Sequence, residues 1–384
     1  MTETISDKQR QLGYESSYFA ACALRDTAPV LREDVDLQEL YKFCQFHSIT
    51  ACVAMALDKV WAQNPGDPAV MKQWREARDK AIRKNILLNA ERERILKHLE
   101  SIGCWYMPLK GSLMQYEYPK FGMRQMGDND ILIDAGFSEA VYEFMVAGGY
   151  QCHQHNQGNH DEFTRQPVYN FEIHRSLFKP ETTPVMASYY GDIQSRTHRD
   201  AGNSFGRHLS PDDFYIYMAA HAYNHFRGSG IGLRHLMDVY VYTGNHPELN
   251  WTYIEGELEK LDALDFDRCC RYLGEFLFSK TERSQGPEGL MGQMLDAFFE
   301  SGARGTLDRL LRRAIAQQTS KGGKIRYFLR RMFPGRELLG VMYPSVRKHG
   351  WLVPFVWIYR LVRSVLRSPR RVLREISSFF RKYK

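Results

Sequence analysis

The chain has 384 residues, 43% of them hydrophobic and 25% charged, an ordinary composition for a folded soluble protein and too long for one small core, so two or three packed units are expected. Seven cysteines, at 22, 44, 52, 104, 152, 269 and 270, make an odd number without C-x-x-C spacing, which argues against a disulfide framework or a zinc ribbon and for reduced thiols in a cytoplasm. The net charge of +7 is unevenly spread: residues 321–384 carry 17 Lys or Arg against two acids, a balance of +15 that leaves −8 on the first 320.

In chain order, the opening Met-Thr-Glu-Thr-Ile-Ser-Asp-Lys has no apolar stretch, so no secretory signal is expected. Residues 1–103 read as a helical segment. Apolar residues at three- and four-residue spacing predict helices over Tyr18–Leu31 and Leu37–Trp61, then a break at Pro65, Gly66 and Pro68. A long amphipathic helix follows from Ala69 to Ile102, with Leu88, Ile95, Leu99 and Ile102 on its apolar side and Gly103 ending it. These helices are expected to cover one flank of a sheet.

From Cys104 the period changes. Strands are predicted over Cys104–Leu109, Asp130–Ile133, Tyr150–His155, Phe163–Gln166 and Val168–Arg175, with a short helix over Ser112–Tyr118 and another over Ser138–Ala147 capped by Ser138. A small mixed sheet with few helices predicts an α+β core over 104–190. A loop is expected from Lys179 to Leu209. A helical region spans 191–320, opened by Ser210-Pro211-Asp212-Asp213, with a hydrophilic break over Lys280–Gly289. Its first helix carries His221 and His225, and a second, Ile231–Tyr242, carries Arg234 and Asp238.

The remaining segment, 321–384, is basic and amphipathic. From Arg360 to Lys384, Leu361, Val365, Leu366, Val372, Leu373, Ile376, Phe379 and Phe380 recur at helical spacing among nine basic residues, with Pro369 dividing the run. Docking on the acidic body and lying on an anionic membrane surface stand level as readings, the latter gaining on the order of 1 kcal/mol per charge. Nucleic acid ranks behind both, because the strip is helical rather than a groove of stacking aromatics. The longest apolar stretch, Trp351–Val362, is broken by Pro354 and Arg360 and falls short of the roughly 20 residues a spanning helix needs, so the protein is expected in the cytoplasm, at most peripheral at the inner face of the membrane.

The chemistry concentrates between Tyr106 and His174. Gly111 lets backbone approach a ligand closely, and the Ser112 hydroxyl with neighbouring N–H groups suits phosphate oxygens. Asp128 and Asp130 alternate onto one side of an extended segment, with Asn129 and Ile131 on the other. Paired carboxylates repel unless a cation lies between them, and such oxygen ligands suit Mg²⁺ or Mn²⁺. Glu172, between Phe171 and Ile173 in a strand-like run, supplies a third acid.

A Gly-Ser turn, a D-x-D pair and a later acid on a neighbouring strand resemble the nucleotidyltransferase superfamily of DNA polymerase beta type. More closely, Leu109-Lys110-Gly111, Arg124 before Gly127-Asp128-Asn129-Asp130, and Glu172-Ile173-His174 resemble the bacterial group known as uncharacterised nucleotidyltransferases. Leu233-Arg234-His235-Leu236-Met237-Asp238 and Tyr343-Pro344-Ser345 extend the likeness. Asn129 departs from it, where an apolar residue is expected, and should weaken the burial of the strand. The resemblance implies transfer of a nucleoside monophosphate from an NTP to a hydroxyl acceptor, with pyrophosphate as the other product. Asp128, Asp130 and Glu172 would be the metal ligands and catalytic acids, Glu172 being ligand, base or both. Lys110, Gly111, Ser112 and Arg124 would bind nucleotide phosphates.

Each assignment also has a purely structural reading. Lys110 can snorkel from a strand end, and Arg124 can pair with an acid such as Asp128. His174 shares the face of Glu172 and is expected in or next to the site, while His221, His225, Arg234 and Asp238 are expected to face the cleft from the helical region. Cys152, His153, His155 and His160 lack a recognised metal spacing and read as an exposed hairpin tip. The alternative from another class is a non-catalytic nucleotide-binding or membrane-associated regulatory protein in surface-polysaccharide assembly.

Overall fold

A computed structural model describes residues 5–280, 286, 287, 289–302 and 349–359. The Tyr343-Pro344-Ser345 motif, the basic helix expected over 360–384 and part of the 280–289 break lie outside them. The chain divides into two units, Met1–Arg227 with Ile231–Arg304, and Gly228–Gly230 with Gly305–Lys384.

In the first unit, α1 (Asp7–Leu24) begins where the Ser6 hydroxyl accepts the Gln9 N–H, earlier than apolar spacing suggested, and stops before Asp26, whose φ of 56° turns the chain. The single helix expected over Leu37–Trp61 is two, α2 (Leu37–His47) and α3 (Thr50–Gln63). Left-handed Ser48 divides them, and buried His47 is anchored through both ring nitrogens, to the Phe299 carbonyl and the Leu233 N–H. Asp67 caps α4 (Pro68–Ser101), with Pro68 in its first turn.

The strands are β1 (Tyr106–Pro108), β2 (Asn129–Ile133), β3 (Gln151–Cys152), β4 (His160–Arg165) and β5 (Tyr169–His174), in the order β1-β2-β5-β4-β3. Only β2 and β5 run parallel. A short helix, α5 (Gly111–Met114), follows β1. After β2, Asp134 caps a 3₁₀ turn, Ala135–Phe137, that leads into α6 (Ser138–Ala147), so Phe137 rather than Ser138 is the residue before the helix.

Alternation gives the sheet two different faces. Ile131, Ile133, Phe163, Phe171 and Ile173 pack on Leu88, Ile95 and Leu99 of α4 and on Val141 and Met145 of α6. Met107 and Leu132 point the other way, into the larger core. The same face carries Asp130, Glu172 and His174.

The expected 179–209 loop contains α7 (Pro184–Tyr189) and a two-stranded sheet of β6 (Thr197–Arg199) and β7 (Arg207–Leu209). Then come α8 (Pro211–Arg227), α9 (Leu233–Asn245), α10 (Trp251–Lys260), α11 (Leu264–Phe278) and α12 (Gly289–Ser301). Of the N-terminal helices only α4 lines the sheet flank. The others share the larger core with α8–α12, where the small residues Ala20, Ala21, Cys22 and Ala23 of α1 permit close helix approach. The architecture is α+β, a mixed five-stranded sheet within a mainly helical body.

In the second unit a 3₁₀ turn, Gly350–Leu352, precedes helical residues 353–359, with Trp351, Phe355 and Ile358 exposed. Among the described residues no helix is long and apolar enough to cross a membrane.

Candidate active site

The register of β2 against β5 sets Asp130 directly beside Glu172. On the far side of β5, the antiparallel register sets Glu162 beside Glu172 and His160 beside His174. These side chains therefore crowd one face, and the rings of His160 and His174 lie 4.9 Å apart. Asp128 lies just ahead of β2 and feels the charges of Asp130, Lys110, Glu172 and Arg234.

Helix α4 holds the approach to β2. Lys84 Nζ donates to the Gly127 carbonyl at 2.9 Å, and Asn85 bonds both the Arg124 carbonyl and the Met126 N–H. Asn129 does not weaken the strand as expected: it is 0% exposed, donating to the Leu88 carbonyl at 3.3 Å and accepting from Arg92 at 3.4 Å. A buried amide is tolerated because both of its ends are bonded.

The turn after β1 is built around Lys110, whose φ of 42° and ψ of −111° are strained for a side-chain-bearing residue, at a cost on the order of 1–3 kcal/mol. That backbone aims Lys110 Nζ at Asp130 Oδ1 and at His221 Nε2, both 3.2 Å away. An ammonium has only donors, so His221 accepts and its ring is neutral. Burial and then Lys110 hold its pKa well below the usual value.

The two aspartates are driven apart electrostatically. Burial and the Asp130 charge push Asp128 up. Burial also works to raise Asp130, but Lys110 and the 2.9 Å hydrogen bond from His174 outweigh it and hold that carboxyl well below the normal range. Burial opposes the charged form of His174, yet its contacts with Asp130 and Glu172 raise its pKa. His174 is 4% exposed, and its other nitrogen, Nδ1, has no partner among the described residues.

Other expected phosphate ligands face inward. The Ser112 hydroxyl is buried and donates to the Leu109 carbonyl at 2.7 Å, which spends its proton on closing the turn. Arg124 forms a bidentate pair with Asp238, two contacts of 2.8 Å, and its third arm donates to the Gly111 carbonyl at 3.3 Å. Tyr118 also donates to Asp238. A Cβ on Gly111 would lie 2.7 Å from Arg124 Nη1, so a side chain there would push the guanidinium off its contact with the Gly111 carbonyl. Arg234 donates to the Gln125 carbonyl at 3.0 Å.

The fold thus brings together Asp128, Asp130, Glu172, Lys110, His174 and His221, with exposed His225 stacked edge-on to His221 at 4.4 Å. Two neighbours escaped sequence reading. His160 joins the cluster instead of the hairpin tip, where His153 bonds Thr164 and His155 bonds Asp161 and Glu139. Tyr217 is buried one helical turn before His221, and its hydroxyl is unpartnered among the described residues. The Tyr-x-x-x-His-x-x-x-His spacing was its signal.

Carboxylates from two adjacent strands, held beside a lysine and a tight Gly-Ser turn on an α+β sheet, are the layout of a nucleotide-transferring fold. The chain belongs to the family described as uncharacterised nucleotidyltransferase, whose model matches residues 33–278. No curated protein and no solved structure matches it. The donor set suits a divalent ion, since Asp128 and Asp130, whose pKa values are pushed in opposite directions, stand with Glu172 beside a buried imidazole whose Nε2 faces Asp130 and Glu172.

Proposed function

We propose that the protein is a metal-dependent nucleotidyltransferase, moving a nucleoside monophosphate from an NTP to a hydroxyl on a sugar, a small molecule or a protein. The acceptor oxygen attacks the α-phosphorus, the bond from that phosphorus to the bridging oxygen breaks, and pyrophosphate leaves with the electron pair. The acceptor proton passes to a base, and Glu172 stands on the strand face suited to that role. The observation that carries the reading is the parallel register that pairs Asp130 with Glu172, with Asp128 immediately before the strand.

In this reading residues 104–190 form the catalytic core, flanked by the helical segments 1–103 and 191–320. Asp128, Asp130 and Glu172 hold Mg²⁺ or Mn²⁺, which when bound supplies charge stabilisation for the phosphoryl oxygens and an acidified hydroxyl. Lys110 offsets phosphate charge. Ser112, Arg124 and Asp238 hold the shape of the turn rather than binding phosphate by their own side chains. All seven cysteines are unpaired, which supports a reducing, cytoplasmic location.

The test uses purified protein with Mg²⁺ or Mn²⁺ and each labelled NTP, scored for pyrophosphate release, self-labelling and nucleotide binding. Asp128→Asn and Asp130→Asn are expected to cut turnover about 10²-fold or more. Unchanged turnover in both variants would remove the site, and absence of nucleotide binding in the wild type would remove the class.

A further inference from the structure

We propose that His160, Glu172 and His174 form a mixed nitrogen and oxygen site for a borderline divalent transition ion, adjoining the carboxylate pair. Its role rests on the nucleotidyltransferase reading, whereas its existence rests on geometry. Glu172 Oε2 lies 3.4 Å from His174 Nε2 and 3.8 Å from His160 Nε2, and one ligand atom from each residue falls within 4.8 Å of the others. Metal–ligand bonds of about 2.0–2.2 Å set neighbouring ligand atoms roughly 3.0–3.4 Å apart in octahedral or tetrahedral geometry. The Glu172 and His174 atoms already stand at that spacing. His160, half-buried at the start of β4, closes the remainder by a small side-chain rotation.

The cluster is built by the sheet. Cross-strand register fixes His160 beside His174, and alternation fixes Glu172 on the same face. A second observation points to a ligand. His174 is 4% exposed, and its Nε2 is aimed into the cluster at two carboxylates, 2.9 Å from Asp130 Oδ1 and 3.4 Å from Glu172 Oε2. A divalent ion at this position takes the place of the proton that Nε2 otherwise shares with the two acids, and the imidazole freed of that proton is a good ligand. Two imidazoles favour Mn²⁺, Co²⁺ or Zn²⁺ over Mg²⁺, whose hard, near-octahedral sphere prefers oxygen and water. Asp130 Oδ1, 2.9 Å from His174 Nε2, lies within the same reach and connects this position to the one expected at Asp128 and Asp130.

The experiment is a Co²⁺ titration of metal-free, full-length protein without nucleotide, followed by visible d–d absorption, with Mg²⁺ affinity measured by calorimetry. One Co²⁺ is expected to bind at least about tenfold more tightly than Mg²⁺, and His160→Ala and His174→Gln are each expected to weaken it about tenfold or more and alter the bands. Folding of both variants is checked by circular dichroism, and if His174→Gln does not fold, partly exposed His160→Ala decides the matter. Wild-type Co²⁺ affinity and spectrum in folded His160→Ala, or no preference over Mg²⁺ in the wild type, overturns the proposal. NTP binding is measured in parallel. Histidine-dependent Co²⁺ binding without any NTP binding would support the metal site while sinking the nucleotidyltransferase reading.

Discussion

Arg124 and Asp238 show how much a single pair can govern. Both are buried, at 8% and 5% exposure, where ionised groups survive only if their partners replace water. Burial would raise the Asp238 pKa, but Arg124 outweighs it and holds the carboxyl below its ordinary value. Asp238→Ala leaves the guanidinium uncompensated and is expected to cost about 3–5 kcal/mol in urea unfolding. The double variant Arg124→Met with Asp238→Leu should recover most of that loss, since no charge is then stranded; failure to recover would mean that the pair acts mainly by fixing the Gly111 turn. Both residues were legible in the sequence as site-related. Their partnership was not, because 114 positions separate them and Arg124 had nearer acids to choose from.

At the level of elements, α4 and β2 form the frame of the site. The helix was readable almost to its ends, Ala69–Ile102 expected against Pro68–Ser101 found, because a long apolar stripe and a Pro-Gly break are local signals. Its polar contribution was not readable. Asn85, Arg92 and the Leu88 carbonyl grip residues 124–129 through bonds that depend on how the helix crosses the sheet. Asn129→Ala removes both bonds in a dry interior, while Arg92 keeps Asn89 at 2.9 Å and the Leu88 carbonyl keeps its place in the helix, so the expected loss is roughly 0.5–1.5 kcal/mol by denaturant unfolding. A loss below about 0.5 kcal/mol would show that these bonds add little beyond what water gives.

Across the whole first unit, acid sensitivity is built into buried histidines. His47 ties the end of α2 to α9 and α12 as a neutral ring, and burial pushes its pKa down to about 3. His235 is likewise pushed down to about 4, chiefly by burial. A folded pKa below the unfolded value of about 6.5 means that the unfolded chain binds the extra proton as pH falls. Stability is therefore full above pH ~6.5 and drops toward pH ~4 by up to about 1.4 kcal/mol per pH unit for each ring. Urea midpoints between pH 7.5 and 5 should show that slope, and His47→Gln should flatten it by one proton; an equal slope in the variant would exonerate His47.

The Gly-Ser turn, the D-x-D pair, the later Glu-x-His and the α+β succession of elements were all settled by local order along the chain. Turns, caps and alternation depend on a few neighbouring residues, so a linear reading captures them. Strand pairing is different, because a shift of one residue reverses every side chain. Only the tertiary structure decided that Asp130 meets Glu172, that His160 meets His174, that Arg124 turns away toward Asp238, and that α1–α3 join the C-terminal helices in one core. Those outcomes come from contacts between distant segments, whose energies depend on burial and register that no stretch of sequence carries by itself.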